Sequence, residues 1–323
     1  MERLEERLNE ILKLALDTQS SDIHFEIRGY EVNIKLRTID GLKKIKSSPS
    51  DRKLIRYLQY LANLDVGNIL VPQTGQFEYN IADNDLSLRF AILNSLNLTS
   101  AVLRILNNNL KININRLSTV QSQNEYFKKI IKRQSGLIIF SGPTGSGKTT
   151  TLYSLLDSLT NKMIYTIEDP IEIYNEKYVQ LQVNEQAGLT YETGLRQILR
   201  HDPDIIMIGE IRDKKAAMMA VNAANTGHLV LTSLHASTAA SAISRMEELG
   251  VNTYQLYEVL IASINQRLLV SSLTHTKTVL YEIMDEDELD YYRKHNMPTN
   301  NYQTIKSQYR EKVKQGIYED NLI

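Results

Sequence analysis

The stretch "FSGPTGSGKTTTLYSLL", residues 140–156, reads as the end of a strand, a glycine-rich turn and the start of a helix. Gly142, Gly147, Lys148 and Thr149 meet the pattern G-x-x-x-x-G-K-[ST]. The apolar "GLIIF" before it and "TTLYSLLDSL" after it supply the strand and the helix that this pattern requires. Glycines let backbone N–H groups turn inward on a phosphate, so Gly142, Pro143, Thr144, Gly145, Ser146 and Gly147 are read as its cradle. Lys148 brings a point charge to the β- and γ-phosphates, the Thr149 hydroxyl is suited to Mg²⁺, and Thr150 follows in the first helical turn. The positive end of that helix adds to the attraction. The expected ligands are ATP and Mg²⁺.

Around the cradle, the strand-like runs "LIIF", "MIYTI", "DIIMI" and "HLVLTSL" alternate with helical stretches. That order predicts an α/β domain, a mostly parallel sheet with helices on both faces. From residue 253 onward the pattern is helical, apart from a strand-like "TVLYEIM". Upstream the character changes. Leu4, Leu8, Ile11, Leu12 and Ala15 share one face of a helix over residues 2–17. Ile23, Phe25 and Ile27 alternate, as do Val32, Ile34 and Leu36, and "GQFEYNI" and "LSLRFAIL" give further strands. The asparagine-rich "NNNLKININRLSTVQSQ" is the best linker candidate. The expected organisation is an N-terminal α+β domain over residues 1–108, a linker over 109–122, and a phosphate-binding domain with a helical C-terminal region over 123–323.

Composition bounds the chemistry. The 323 residues carry 37 basic and 38 acidic side chains, a balance that offers no global field for nucleic acid. With no cysteine and only 6 histidines, none at ligand spacing, zinc is not expected. No apolar run approaches the ~20 residues that span a bilayer, and the charged start "MERLEERLNEILKLAL" is no signal peptide, so a soluble cytoplasmic protein is expected.

A triphosphatase needs carboxylates at strand ends beside its cradle. Two strands end that way: "MIYTIEDPIEI" delivers Glu168 and Asp169, and "DIIMIGEIRD" delivers Glu210. "TGHLVLTSLHAST" places His228 at the start of a strand and His235 at its end, and either histidine alone is more often a hydrogen-bonded packing residue than a catalytic one.

With the cradle, "TIEDPIE", "LRHDPDIIMIGEIRD" and "TGHLVLTSLHAS" in this order, the chain resembles the secretion ATPase superfamily that powers type II secretion and type IV pilus assembly. There the four segments are called the Walker A, Asp box, Walker B and His box. "SDIHFE", "LRTIDGL", "LSLRF" and "AVLRIL" extend the resemblance into the first domain, and "IASINQRLL" and "TVLYEIM" toward the C-terminus, so that it covers about residues 20–285.

The resemblance implies a RecA-like fold, a homo-hexameric ring, a polytopic membrane platform protein as partner, pilin-like subunits moved indirectly, and a place against the inner face of the cell membrane. It assigns Glu168 as the water-activating base, Glu210 as the carboxylate on the Mg²⁺ side together with Thr149, His228 as the γ-phosphate sensor, and Arg89 and Arg104 as arginines reaching the nucleotide from an adjacent subunit or across the domain gap. The division between Glu168 and Glu210 stays open to exchange. "QTGQ" at Gln73–Gln76 stands where the family has an acidic-glycine-arginine sequence, a retraction-type "AIRE" signature is missing, and the four-cysteine insert after "QRLL" is absent. A short, cysteine-free assembly motor resembles the group that builds the competence pseudopilus of Gram-positive bacteria for DNA uptake. A type II secretion motor, a pilus extension or retraction motor, a DNA translocase and a non-hydrolytic scaffold are the other readings.

Overall fold

The computed structural model describes residues 2–29, 31–38, 40–68, 71–81, 84–106, 113–274 and 276–320. The chain divides into two compact units, residues 1–109 and 110–323. Of the expected linker, residues 109–112 lie outside the described residues, while 114–116 form a 3-10 turn within the second unit.

In the first unit α1 (Glu2–Asp17) is followed by β1 (Asp22–Arg28), β2 (Glu31–Thr38), β3 (Gly41–Ile45), α2 (Asp51–Leu61), β4 (Gln73–Ile81), β5 (Asn84–Ser95) and β6 (Leu98–Leu106). The six strands pair antiparallel in the order β3-β2-β1-β6-β5-β4. Alternation makes one face of this sheet apolar. Ile23, Phe25, Ile34, Leu36, Leu88, Phe90 and Leu103 bury that face in one core with Leu8, Ile11 and Leu12 of α1 and Leu54 and Leu58 of α2. An ion pair fixes the two helices to each other: Arg7 Nε donates to the fully buried Asp51 at 2.8 Å. On the other face, register sets Asp22, Arg104 and Arg89 side by side on three neighbouring strands.

The second unit holds α3 (Gln121–Ile130), β7 (Gly136–Ser141), α4 (Lys148–Asp157), β8 (Ile164–Glu168), β9 (Val179–Gln182), α5 (Tyr191–Ile198), β10 (Ile205–Ile208), α6 (Lys214–Asn225) and β11 (Leu229–Leu234). It continues with α7 (Ala239–Glu248), α8 (Thr253–Val259), β12 (Leu260–Val270), β13 (Lys277–Met284), α9 (Glu286–His295) and α10 (Ile305–Lys314). Its sheet runs β13-β12-β7-β11-β10-β8-β9 and is parallel except for the β12–β13 pair. A parallel sheet is covered on both faces, so its strands are apolar on both. Leu137 and Ile139 of β7 join one core with α5, α6 and α7, while Ile138 and Phe140 join another with α3 and α4.

The helical C-terminal region contains α8, α9 and α10, with one difference from the sequence pattern. Residues 260–270 form the long strand β12 instead of continuing a helix. β12 lies between β7 and β13, and most of its length is buried. A strand buried on both faces, with Ser263, Asn265 and Gln266 buried among its apolar residues, has no two-residue period to mark it.

Candidate active site

β7 ends at Ser141, and the chain turns through 142–147 into α4. Gly142 has φ 143°, and a Cβ there would stand 2.5 Å from the carbonyl oxygen of Gln266, so this position admits only glycine. Gly147 at φ 88° is the N-cap of α4 and offers no side chain to its first N–H groups. Those donors are left for a ligand. Ser146 Oγ, also buried, has no hydrogen-bond partner among the described residues. Lys148 Nζ folds back over the turn, donating to the carbonyls of Gly142 at 2.8 Å and Pro143 at 3.1 Å. Burial draws the Lys148 ammonium below the ordinary lysine pKa, against the pull of Glu210 and Glu172. An open glycine cradle, uncapped N–H groups, an orphaned hydroxyl and a partly desolvated cation fit a polyphosphate.

The strand register gathers the acidic residues. All strands parallel to β7 end on the edge where the cradle lies, with Ser141 opposite Leu234, and Thr232 opposite Ile208. Glu168 closes β8, and Glu210 follows β10 by two residues. Glu168 is 3% exposed, and its Oε1 accepts from Tyr153 Oη of α4 at 2.6 Å and from Thr166 Oγ1 at 2.8 Å. Burial pushes the Glu168 carboxyl above the ordinary glutamate value, against the hydrogen bonds of Tyr153, Thr166 and Gln180. Glu210 is more open. Its Oε2 accepts from Arg212 Nε at 3.0 Å, and its Oε1 lies 3.2 Å from His235 Nε2. Arg212 NH1 also donates to Asp169 at 2.9 Å, tying the ends of β8 and β10 together.

His228 requires a correction. It stands one residue before β11, at the opposite edge of the sheet, where its carbonyl accepts from Gly136 N at the very start of β7. Its Nδ1 lies 3.0 Å from Ala223 O and 3.1 Å from Thr226 Oγ1, contacts at the C-terminal end of α6. The six residues of β11 separate it from His235, about 20 Å at strand rise. The side chain that meets Glu210 belongs to His235, so the sensor assignment to His228 fails on chain direction alone.

Arg212 was not singled out in the sequence, although its position two residues after Glu210 was a usable signal. Gln180, which donates to Tyr153 Oη at 2.6 Å, carried none. In the first unit, Arg104 Nε donates to the buried Asp22 at 2.6 Å, and Ser21 Oγ donates to the same carboxylate at 2.7 Å. Thr149 and Thr150 occupy the first turn of α4.

Residues 1–319 match the family described as "Type II/IV secretion system protein". The chain belongs to that family. It is 40% identical over 273 residues to the competence protein ComGA of Bacillus subtilis, covering 83% of this chain and 77% of that protein. It is 36% identical over 267 residues to the type II secretion system ATPase E of Vibrio cholerae, covering 81% of this chain and 53% of that one. Among solved structures, the pilus retraction motor PilT with bound ADP superposes with a TM-score of 0.72 at 27% identity, covering 96% of this chain and 94% of that one. The fold is thus that of the RecA-like secretion ATPases, and the family member described here is an ATPase. No helix among the described residues is long and apolar enough to cross a membrane.

Proposed function

We propose that this ATPase is the hexameric motor of a competence pseudopilus, hydrolysing ATP to assemble pilin-like subunits through a polytopic membrane platform protein. The observation that carries the hydrolytic part is the convergence of Lys148, Glu168, Glu210, Arg212 and His235 on one edge of a parallel sheet. The competence role is supported by the 40% identity to ComGA, across most of both chains. A type II secretion or type IV pilus role is the second reading, favoured by relatives named for those systems at 36% and 37% identity. In this account residues 1–108 are an N-terminal domain, 109–122 its linker and 123–323 the motor domain, and the ring sits peripherally on the inner face of the cell membrane.

The cradle amides and Lys148 hold the β- and γ-phosphates, Lys148 exchanging the carbonyls of Gly142 and Pro143 for phosphate oxygens. Thr149 and Glu210 would hold Mg²⁺, which would neutralise phosphate charge. Glu168 takes the proton of the attacking water. Tyr153, Thr166 and Gln180 fix its carboxylate, and its raised pKa makes it a stronger base than an exposed glutamate. His235, held by Glu210, takes the γ-phosphate position that His228 does not reach. Arg89 and Arg104, side by side in the first unit, act on a nucleotide of a neighbouring subunit, and Asp22 orients the Arg104 guanidinium. Such an arginine contributes roughly 10³ to 10⁵ in rate in other triphosphatases.

The test mixes two inactive proteins. Arg104→Ala subunits keep their cradles and Lys148→Ala subunits keep their arginines, so mixed rings regain phosphate release where an intact arginine meets an intact cradle. Mixed rings confirmed by mass that release phosphate only at the summed residual rates would refute action across subunits. In the source cell, a Lys148→Ala allele that abolishes DNA uptake and leaves protein secretion intact supports the competence role, and the reverse pattern supports the second reading.

A further inference from the structure

Beside the cradle, on the side away from the acidic residues, β12 brings two buried amides into the nucleotide-binding turn. Asn265 and Gln266 are both fully buried. Gln266 Nε2 donates to the carbonyl of Ser146 at 2.6 Å, and its backbone carbonyl is the group that Gly142 must be a glycine to approach. Asn265 Nδ2 donates to Ser141 Oγ at 2.9 Å and to Ala236 O, next to His235, at 3.0 Å. The side-chain oxygen of each amide, Gln266 Oε1 and Asn265 Oδ1, has no hydrogen-bond partner among the described residues. Leaving a buried amide oxygen unpaired costs stability, so its persistence at a ligand site marks a functional constraint.

The register that presents Gln266 is set by an irregularity. β12 pairs Leu260 with Leu137 but Ala262 with Ile138, so one extra residue is accommodated at Ile261. Beyond that bulge Asn265 pairs with Ser141, the last residue of β7, and Gln266 falls level with the cradle. Without the bulge, a neighbour of opposite facing would stand there.

On its other side the same ribbon grips the C-terminal helix. Gln266 pairs with Tyr281 of β13, and Asn265 with Glu282. Tyr281 Oη lies 3.0 Å from Thr151 Oγ1 of α4, while its carbonyl accepts from Gln308 of α10 at 2.7 Å. The buried Glu282 accepts from the N–H of Ala239 at the start of α7 and of Ile305 at the start of α10, at 2.9 and 3.0 Å. Polar contacts therefore run without a break from the turn at 142–147 to α7 and α10. A β-ribbon buried between two cores is stiff enough to carry a displacement of the cradle.

The geometry points to Gln266 as a positioning residue that fixes the Ser146 peptide of the cradle and passes nucleotide occupancy through the β12–β13 ribbon to α10. This rests on the nucleotide reading of the cradle. When a phosphate draws the cradle amides inward, the Ser146 carbonyl moves with them, and Gln266 and its partner Tyr281 follow. Occupancy then alters the hydrogen bonds that Gln308 and Ile305 make to β13.

The experiment uses the full chain with Mg-ADP as probe, measuring affinity by titration and hydrogen exchange over residues 305–314. In the wild type ADP binds and slows exchange in α10. Gln266→Met, which keeps the volume and loses both polar atoms, is expected to bind ADP about tenfold more weakly, as loss of one buried hydrogen bond at a ligand site does. At saturating ADP it is expected to show no change in α10. Where that variant fails to fold, Gln266→Glu, which keeps shape and polarity but loses the donor, takes its place. A variant with wild-type affinity, or one in which saturating ADP still slows exchange in α10, overturns the inference. Wild-type protein that binds no ADP overturns the cradle reading as well, and the wild-type titration alone tells the two failures apart.

Discussion

The two histidines that flank β11 differ in nothing that a motif records, yet they stand on opposite edges of one sheet. His235 follows the strand and meets Glu210, whereas His228 precedes it and its ring meets the C-terminal end of α6. In a parallel sheet every strand ends on the same edge, so a residue's side of the strand decides whether it shares a site with the cradle. The edge with the cradle carries Asp169, Arg212, Glu210 and His235, joined one to the next in that order. The edge with His228 instead opens on a cavity of about 430 Å³ that includes Arg133, Glu258 and Glu286, far from Lys148 in strand register.

The largest effect expected at the cradle edge comes from Lys148→Ala, which should abolish phosphate release, because both the point charge and the cover of the turn are lost. A variant that hydrolyses ATP at the wild-type rate would remove the cradle from the account.

Next come the two carboxylates, which should fail differently. Glu210→Gln is expected to weaken binding of Mg-ATP as well as turnover, while Glu168→Gln binds normally and stalls, each losing about 10²-fold or more in rate. Equal ATP affinity in the two variants would leave their division of roles unsupported.

A smaller loss, about tenfold in kcat, is expected for Arg212→Ala, which frees Glu210 and Asp169 from each other without removing a phosphate ligand. An unchanged kcat would reduce Arg212 to a surface ion pair.

The smallest effect is a pH dependence. The folded state holds Glu168 above its ordinary value of 4.5, so between that value and the raised one the folded protein binds the proton more tightly than the unfolded chain. This contribution to stability is present below about pH 4.5 and is lost as pH rises through the folded pKa. Glu168→Gln, which has no charge to desolvate, should gain stability relative to wild type as pH is raised from 4.5. A difference in thermal midpoint that stays constant with pH would contradict the burial of the charge.

Much of this arrangement was legible in the sequence, for identifiable reasons. Period-two alternation in Ile23, Phe25 and Ile27 and helical spacing in Leu8, Ile11 and Leu12 reported directly on which side of an element is buried. The cradle was legible because its glycines serve backbone geometry that no other residue adopts. β12 was not, since "LIASINQRLL" is mostly buried on both faces and shows no alternation of apolar and polar residues. The short strands β3 and β9 lie at sheet edges and bury too little to leave a pattern. The sequence carries no signal for Gln266 and Asn265, because their meaning depends on a bulge at Ile261 and on a partner more than a hundred residues away. The role given to His228 went astray because a motif fixes spacing along the chain, not which end of a strand faces the ligand.

The most direct measurement of the central claim, that hydrolysis occurs where the parallel strands end, sets His235→Ala beside His228→Ala in steady-state phosphate release at saturating Mg-ATP. Loss of a group that stabilises charge on a transferring phosphoryl costs about 10²-fold in rate, so His235→Ala should fall by that factor. His228→Ala, about 20 Å away along β11, should stay within about twofold of wild type. A collapse in the His228 variant with an unimpaired His235 variant would contradict the account.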